Sequence, residues 1–471
     1  MNSKFLCVAL ALAGLMLPAV AVADELRQFQ ASSDLEKYIE DVAILEMERQ
    51  IDSGWGGGWR GGPMMMKSMA EGGSNHSTTN VQVRGVDEPD YVKNDGKLIY
   101  KLVGESLVVV DATTPHSLAE VGRAQVEGWP ISMFLNGNEV VVFSTAPAPK
   151  GMEREGASGF GPMMKRMIWP GPRQQQVLKV TTFDVSWPWE PLAVREIYLE
   201  GSFVDARMVG TQVHVVTSNR TPGPQLTYWS GEVEPTKADL EALKVENRRR
   251  IRAATLVDWL PRRLDRATMT RPALALGAST CYRPATSDGR NVVMLSTIDL
   301  SWWGAPRHAG YLGEQGEVYA SKDSLYVANY RWNYWWGYNV GREPADVSDI
   351  HKFSIAGSSP RYVSSGVVDG RVLNQFSMDE YNGTLRVATT TEATAQSGQP
   401  RLNHVFTLRP ASATSRELRV VGSIRDLAPD EQIYAVRFIC DRGFVVTFRQ
   451  VDPLFAIDMR ALKVRGVLKV D

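Results

Sequence analysis

The sequence predicts an all-β chain folded as a β-propeller of four-stranded antiparallel blades, six repeat units being visible, with an N-terminal helix and one helical insertion. Three observations carry this. Turn signals recur at Asn94-Asp95-Gly96, Asn136-Gly137, Gly210, Lys322-Asp323, Asn382-Gly383 and Asp441-Arg442-Gly443. Each is followed by a similar apolar strand, at 98–102, 139–144, 212–217, 324–329, 384–389 and 444–449. From Gly96 to Gly137 the repeat is 41 residues, which matches one propeller blade.

The other strands follow in order. A second strand in each unit is visible at 107–111, 178–184, 291–299, 350–355, 404–408 and 454–458, often ending in Asp. A third returns, as at 193–199 and 361–368, and closes on an acidic-Gly pair: Glu127-Gly128, Glu200-Gly201, Asp369-Gly370. A fourth, as at 131–135, 203–209, 373–378 and 433–439, leads into the next turn. A lone four-stranded sheet cannot cover both of its faces, whereas blades packed around an axis cover one another. The rival architecture is a stack of β-sandwiches. The regular strand order and the lack of any linker after residue 80 favour the ring.

Residues 1–23 read as a signal peptide: a basic start through Lys4, an apolar run at 5–22, and the small-x-small site Ala21-Val22-Ala23, with cleavage expected after Ala23. The mature protein is therefore expected to be periplasmic or secreted, with no transmembrane segment after cleavage. Residues 24–79 are expected to form a helix and then a Gly- and Met-rich linker. Ser33 and Glu36 look like a capping box, and Leu35, Tyr38, Ile39, Val42 and Leu45 form an apolar stripe. The propeller is expected over 80–471, with a helical insertion at about 218–287. Its helix, from about Thr236 to Leu260, ends at Pro261. The run Arg248-Arg249-Arg250-Arg252 on it reads as a solvated face.

Composition excludes some partners. The chain has 44% hydrophobic and 22% charged residues and a net charge of −1, about −2 without the segment that carries Lys4. That balance argues against nucleic acid or an anionic membrane surface. Cys281 and Cys440 remain after processing and could form a disulfide in an oxidising compartment, the alternative being two thiols.

Residues 80–100, N-V-Q-V-R-G-V-D-E-P-D-Y-V-K-N-D-G-K-L-I-Y, resemble the opening of a family of secreted bacterial proteins with a C-terminal β-propeller distantly related to WD40 repeats. So do Glu246 to Pro261, with its D-W-L-P ending, and 433–458. The resemblance covers nearly the whole mature chain. It implies a propeller and export, with no catalytic set to carry over. Members of that family usually continue past the position of Asp471. The resemblance thus implies either an incomplete ring or six blades closed by a strand at 80–86 joining the last one.

Candidate chemistry is sparse. Met64, Met65, Met66 and Met69, with Met163, Met164 and Met167, offer thioethers that suit Cu(I), but they equally suit apolar anchoring of loops. Trp332, Tyr334, Trp335, Trp336 and Tyr338 make the densest aromatic segment, a candidate stacking platform for a sugar or peptide. Asp87, Glu88, Asp90 and Asp95 cluster at a turn without calcium-loop spacing, and the histidines (His76, His116, His214, His308, His351, His404) lack metal-ligand spacing. His214 and His404 alternate with apolar neighbours and read as structural. No cofactor and no catalytic residue is expected. The leading expectation is an exported binding or scaffolding module for a protein or glycan partner in the cell envelope. The alternatives are a hydrolase or lyase acting on an envelope polymer in the axial cleft, and periplasmic copper binding through the Met-rich loops.

Overall fold

The computed structural model describes residues 25–53, 81–114, 116–154, 175–220, 223–230, 232, 235–285, 289–331, 346–393, 400–448 and 452–470. Six sheets follow one another along the chain. Blade 1 is Val92–Asn94, Leu98–Val103, Ser106–Asp111 and Ala119–Gln125, from the inside outwards. Blade 2 is Trp129–Asn136, Glu139–Pro147, Gln176–Asp184 and Leu192–Leu199, and blade 3 is Ser202–Val209, Gln212–Arg220, Asn291–Asp299 and Arg307–Leu312. Blade 4 comprises Glu317–Ala320, Ser324–Arg331, Val347–Ser354 and Arg361–Asp369. Blade 5 comprises Met378–Tyr381, Thr384–Thr391, Leu402–Pro410 and Leu418–Leu427, with Arg371–Val372 beside the second of these. Blade 6 is Gln432–Ile439, Arg442–Phe448, Asp452–Asp458 and Lys463–Val470.

The turns that open these hairpins lie where expected. Asn382 and Gly383 have φ of 52° and 71°, the left-handed pair that a tight hairpin needs and that few other residues tolerate. Besides blade 5, two blades depart from four strands and are widened to six. Insertion strands Arg262–Asp265 and Ala273–Leu274 extend blade 2, while Cys281–Arg283 and the N-terminal Arg27–Gln28 extend blade 3. Cys281–Arg283 runs parallel to its partner Arg307–Leu312, an exception to the antiparallel expectation.

Burial shows how the blades cover one another. In Gln176–Asp184 and Asn291–Asp299 the residues facing either way are buried, the signature of a sheet packed on both sides. One apolar cluster joins Tyr100, Leu107 and Val109 of blade 1 to Met133, Val140 and Val142 of blade 2. Corresponding clusters join blade 2 to 3, 3 to 4, 4 to 5 and 5 to 6. The series stops there. The second strand of blade 6 alternates buried and unburied residues, so its far face is open, and no apolar cluster among the described residues joins blade 6 to blade 1.

Of the two alternatives, closure of the last blade by a strand at 80–86 does not form among the described residues. Residues 81–91 run across the inner ends of other blades instead. Asp87 bridges to Met208 of blade 3, Asp90 bridges to Met133 of blade 2, and Gln82 donates to the carbonyls of Gln375 and Met378 in blade 5. All four strands of blade 6 come from the chain after Glu431, which leaves 81–86 no place in it.

Helix α1 (Ser32–Asp52) docks on the cluster between blades 2 and 3 through Leu35, Ile39, Ala43, Met47 and Ile51. Leu45, expected in the stripe, is exposed: the buried line advances in steps of four residues from Leu35, and Leu45 falls off it. The cap is also displaced, to an extended Ala31 with no side-chain bond, so Ser33 lies inside the helix. The insertion helix is split into α2 (Lys237–Ala253) and α3 (Leu256–Trp259), and Thr236 with Asp239 forms a true capping box on α2. The arginine run is more than a solvated face. Arg248 binds Glu48 at 2.6 Å and Arg252 binds Glu40 and Asp41, tying α2 to α1.

The disulfide does not form. Cys281 is buried in blade 3 and Cys440 is exposed at a turn of blade 6, both as free thiols on separate sheets. The strand histidines pair with hydroxyls on neighbouring strands: His214 with Thr297 at 2.9 Å, His308 with Ser296 at 2.9 Å, and His351 with Ser365 at 2.7 Å. Burial pushes His214 down to about 4. Burial, with Arg263 and Arg307 nearby, pushes His308 down to about 3. Both are therefore neutral in the folded chain. As pH falls below histidine's ordinary value of about 6.5, the unfolded chain takes up protons that the folded chain cannot. Stability is thus full above that value and falls progressively down to the folded values. Urea unfolding at pH 5 should show a loss of about 2 kcal/mol per histidine relative to pH 7. Replacing both (His214→Gln with His308→Gln) should flatten that slope.

Candidate functional site

The acidic-Gly pairs that close the blades organise their surroundings. At each, the glycine has positive φ: 80° at Gly128, 126° at Gly201 and 82° at Gly370. A side chain at Gly128 would lie 2.2 Å from the Thr145 carbonyl, so the chain must turn there without one. The acids reach cations: Glu127 binds Lys179, Asp369 binds Arg425, and Glu200 binds Arg154 and Arg262. Glu200 is almost fully buried. Burial pushes its carboxyl up, but hydrogen bonds and charge from Arg154 and Arg262 outweigh this and hold it below the usual carboxylate range. Arg154 also donates to the carbonyls of Val257, Asp258 and Leu260, and Arg262 to those of Gly151 and Met152. One carboxylate thereby holds two insertions to blade 2.

The inner ends of the blades hold paired charges. Lys93 binds Asp87 at 2.8 Å, Arg207 binds Asp205 at 2.6 Å, and Glu88 accepts from the Gln82 backbone and the Gln375 side chain. Arg207 is buried and also donates to the carbonyls of Ala206 and Val318 and to Gln375. Asp90 and Asp95 accept from nearby backbone N–H groups, as turn residues do. This is a network satisfied within itself.

A cavity of about 350 Å³ lies between blades 1 and 2. Lys179, only 2% exposed, projects there between Glu127 at 2.6 Å and Glu196, and the Tyr198 hydroxyl donates to Glu127 at 2.7 Å. Burial pushes Glu127 up, and the bonds from Lys179 and Tyr198 more than reverse it, so its carboxyl stays ionised at neutral pH. Val126 and Phe183 form an apolar wall.

Exposed tryptophans gather elsewhere. The loops between the third and fourth strands of blades 2 and 3 carry Trp187 with Trp189 and Trp302 with Trp303, all exposed. The Trp187 and Trp189 rings are 5.2 Å apart. Both loops lap onto the preceding blade. A side chain at Gly122 of blade 1 would lie 1.9 Å from the Pro188 carbonyl, and Arg195 of blade 2 donates to the Gly304 carbonyl at 2.6 Å. Loops at that position share a face of the ring, because successive blades repeat one strand order.

The Beta propeller domain model matches residues 76–471. The chain belongs to this propeller family. An uncharacterised protein of Archaeoglobus fulgidus is 27% identical over 503 residues, covering 95% of this chain and 72% of its own length. An uncharacterised protein of Methanocaldococcus jannaschii is 25% identical over 444 residues, covering 84% of this chain, which spans 62% of that relative. Among solved structures, the dihydro-heme d1 dehydrogenase NirN in complex with DHE has a TM-score of 0.29 at 10% identity, over 81% of this chain and 66% of that one. A mutant Synechocystis apocarotenoid oxygenase has a TM-score of 0.32 at 9% identity, over 81% and 71%. Likenesses this loose say nothing of chemistry.

The aromatic candidates Trp332, Tyr334, Trp335, Trp336 and Tyr338 lie outside the described residues of this propeller, as do Met64, Met65, Met66, Met69, Met163, Met164 and Met167. Among the described residues, no group of three His, Cys, Asp or Glu could hold a metal, and no helix is long and apolar enough to cross a membrane. Sequence reasoning missed Trp187, Trp189, Trp302 and Trp303. Their signal was available: two closely spaced Trp pairs at the same position of successive repeats. It also gave Glu200 no role beyond punctuation. Glu200→Ala should leave two guanidinium groups without their anion and cost about 3–5 kcal/mol. Limited proteolysis should then cut within the insertions at 148–175 and 221–287 before the blades, whereas the parent chain should resist.

Proposed function

We propose that this propeller is an exported binding or scaffolding module that holds a protein or glycan partner in the cell envelope. The observation that carries the reading is the pair of tryptophan loops on neighbouring blades. Indole rings left in water on one face, at the same position of consecutive repeats, serve no packing purpose for the blades. They offer large, rigid, amphipathic area to a sugar ring or an apolar peptide. The inner ends of the blades, where a hydrolase or lyase of this fold would keep its acids and bases, instead hold charges paired with one another and crossed by residues 81–91. Export rests on the signal-like segment at 1–23.

The test is capture. The chain, immobilised and challenged with a solubilised envelope fraction, should retain a partner that the combined variant Trp187→Ala, Trp189→Ala, Trp302→Ala and Trp303→Ala retains at least about tenfold less well. The variant should melt as the parent does, since these rings are already exposed. Equal retention by the two chains would overturn the reading.

A further inference from the structure

The cavity between blades 1 and 2 holds hydrogen-bonding capacity that the chain does not use. Lys179, Thr181 and Phe183 are alternate residues of one strand, so their side chains leave the sheet on one side, and all three line the cavity. Phe183 belongs to the apolar cluster shared with blade 1, which fixes that side as the one facing blade 1. Register sets Glu196 beside Thr181 on the neighbouring strand. Thr181 is 2% exposed, yet its hydroxyl oxygen has no hydrogen-bond partner. A buried hydroxyl left this way is costly unless something else supplies the bond.

Blade 1 supplies the opposite wall. Glu105 stands in the turn between Leu98–Val103 and Ser106–Asp111, and the Val126 N–H donates to its carbonyl at 2.9 Å, which brings that turn beside Glu127. The side-chain bonds that Glu127 accepts from Lys179 and Tyr198 both fall on Oε2, so Oε1 is open. Lys179 and Arg266 answer Glu127 and Glu196. Among the described residues Glu105 has no ion-pair partner, and the lining keeps an excess of negative charge.

Four features select an occupant. The excess charge favours a cation over an anion. The carboxylates do not converge on a point: among the described residues no group of three His, Cys, Asp or Glu could hold a metal ion, which favours an organic cation. Val126 and Phe183 offer an apolar wall to a hydrocarbon stem. At the floor a second ammonium would meet Lys179, so the end that reaches Thr181 is uncharged.

We propose that this cavity binds a small amino alcohol, a primary ammonium joined to a hydroxyl by a short hydrocarbon stem. The ammonium lies at the mouth against Glu105 and Glu127 Oε1, the stem runs along Val126 and Phe183, and the hydroxyl bonds Thr181. None of the four loop tryptophans lines the cavity, so the site adds to the partner reading above and does not rest on it.

Isothermal titration calorimetry of the full chain tests this with three probes: the aminobutanol that carries its amine and hydroxyl on opposite ends, butylamine, and butyrate. Aminobutanol should bind more tightly than butylamine, and butyrate should not bind. Glu105→Gln should weaken both amines by about tenfold. Thr181→Val should remove the advantage of aminobutanol, about fivefold, and leave butylamine unchanged. Both variants should melt as the parent does, because Glu105 is exposed and the Thr181 hydroxyl bonds nothing in the chain. Absence of binding by both amines at millimolar concentration would overturn the proposal. So would butyrate binding as well as butylamine, or an advantage of aminobutanol that survives Thr181→Val.

Discussion

Apolar sheet faces pressed against one another hold this molecule together. A four-stranded sheet built with apolar residues facing both ways has no inside of its own, so each blade is stable only as far as its neighbours cover it. Blades 2 to 5 have neighbours on both sides, and their third strands are buried over most of their length. Among the described residues blade 6 packs on blade 5 through one face, with Val445 and Thr447 buried while Phe448 meets water. The same constraint explains the role of α1. It lies on the cluster between blades 2 and 3, where the blades have been widened to six strands.

Polar residues then decide how the insertions attach. Glu200, Arg154 and Arg262 form a buried knot in which one carboxylate answers two guanidinium groups, each of which also satisfies loop carbonyls. Arg195 does similar work between blades 2 and 3, binding Asp265 at 2.8 Å and the Gly304 carbonyl. Removing one member of such a set leaves a buried charge alone, so these residues fix geometry even where their net contribution to stability is small. The histidine–hydroxyl pairs belong to the same class: polar groups in the interior, each given a partner on the next strand.

The tryptophan loops and the open face of blade 6 are two different kinds of exposed apolar surface. Trp187, Trp189, Trp302 and Trp303 stand on short loops anchored by Gly122 and Arg195, each loop resting on the preceding blade. Their exposure is therefore held by the fold. The blade 6 surface is sheet, broken by bulges at Ile433/Ala435 and Ala456/Ile457.

Much of the architecture was legible in the residues. Turn signals such as Asn382-Gly383 act within a few residues, and their positive φ follows from local chemistry alone. The acidic-Gly pairs were legible for the same reason. The site was not. That Glu200 meets Arg154 and Arg262, or that Trp189 rests on Gly122, depends on residues tens of positions apart that meet only once blades have packed. Local preference also misplaced the cap of α1, because docking on blades 2 and 3 sets where that helix starts and which stripe is buried. The sequence by itself determined the repeat and the strand order of its six visible units, since these rest on short-range periodicity. The tertiary structure alone decided that residues 81–91 cross the inner ends and that Cys281 and Cys440 stay apart. Each depends on which surfaces meet, and no local pattern encodes that.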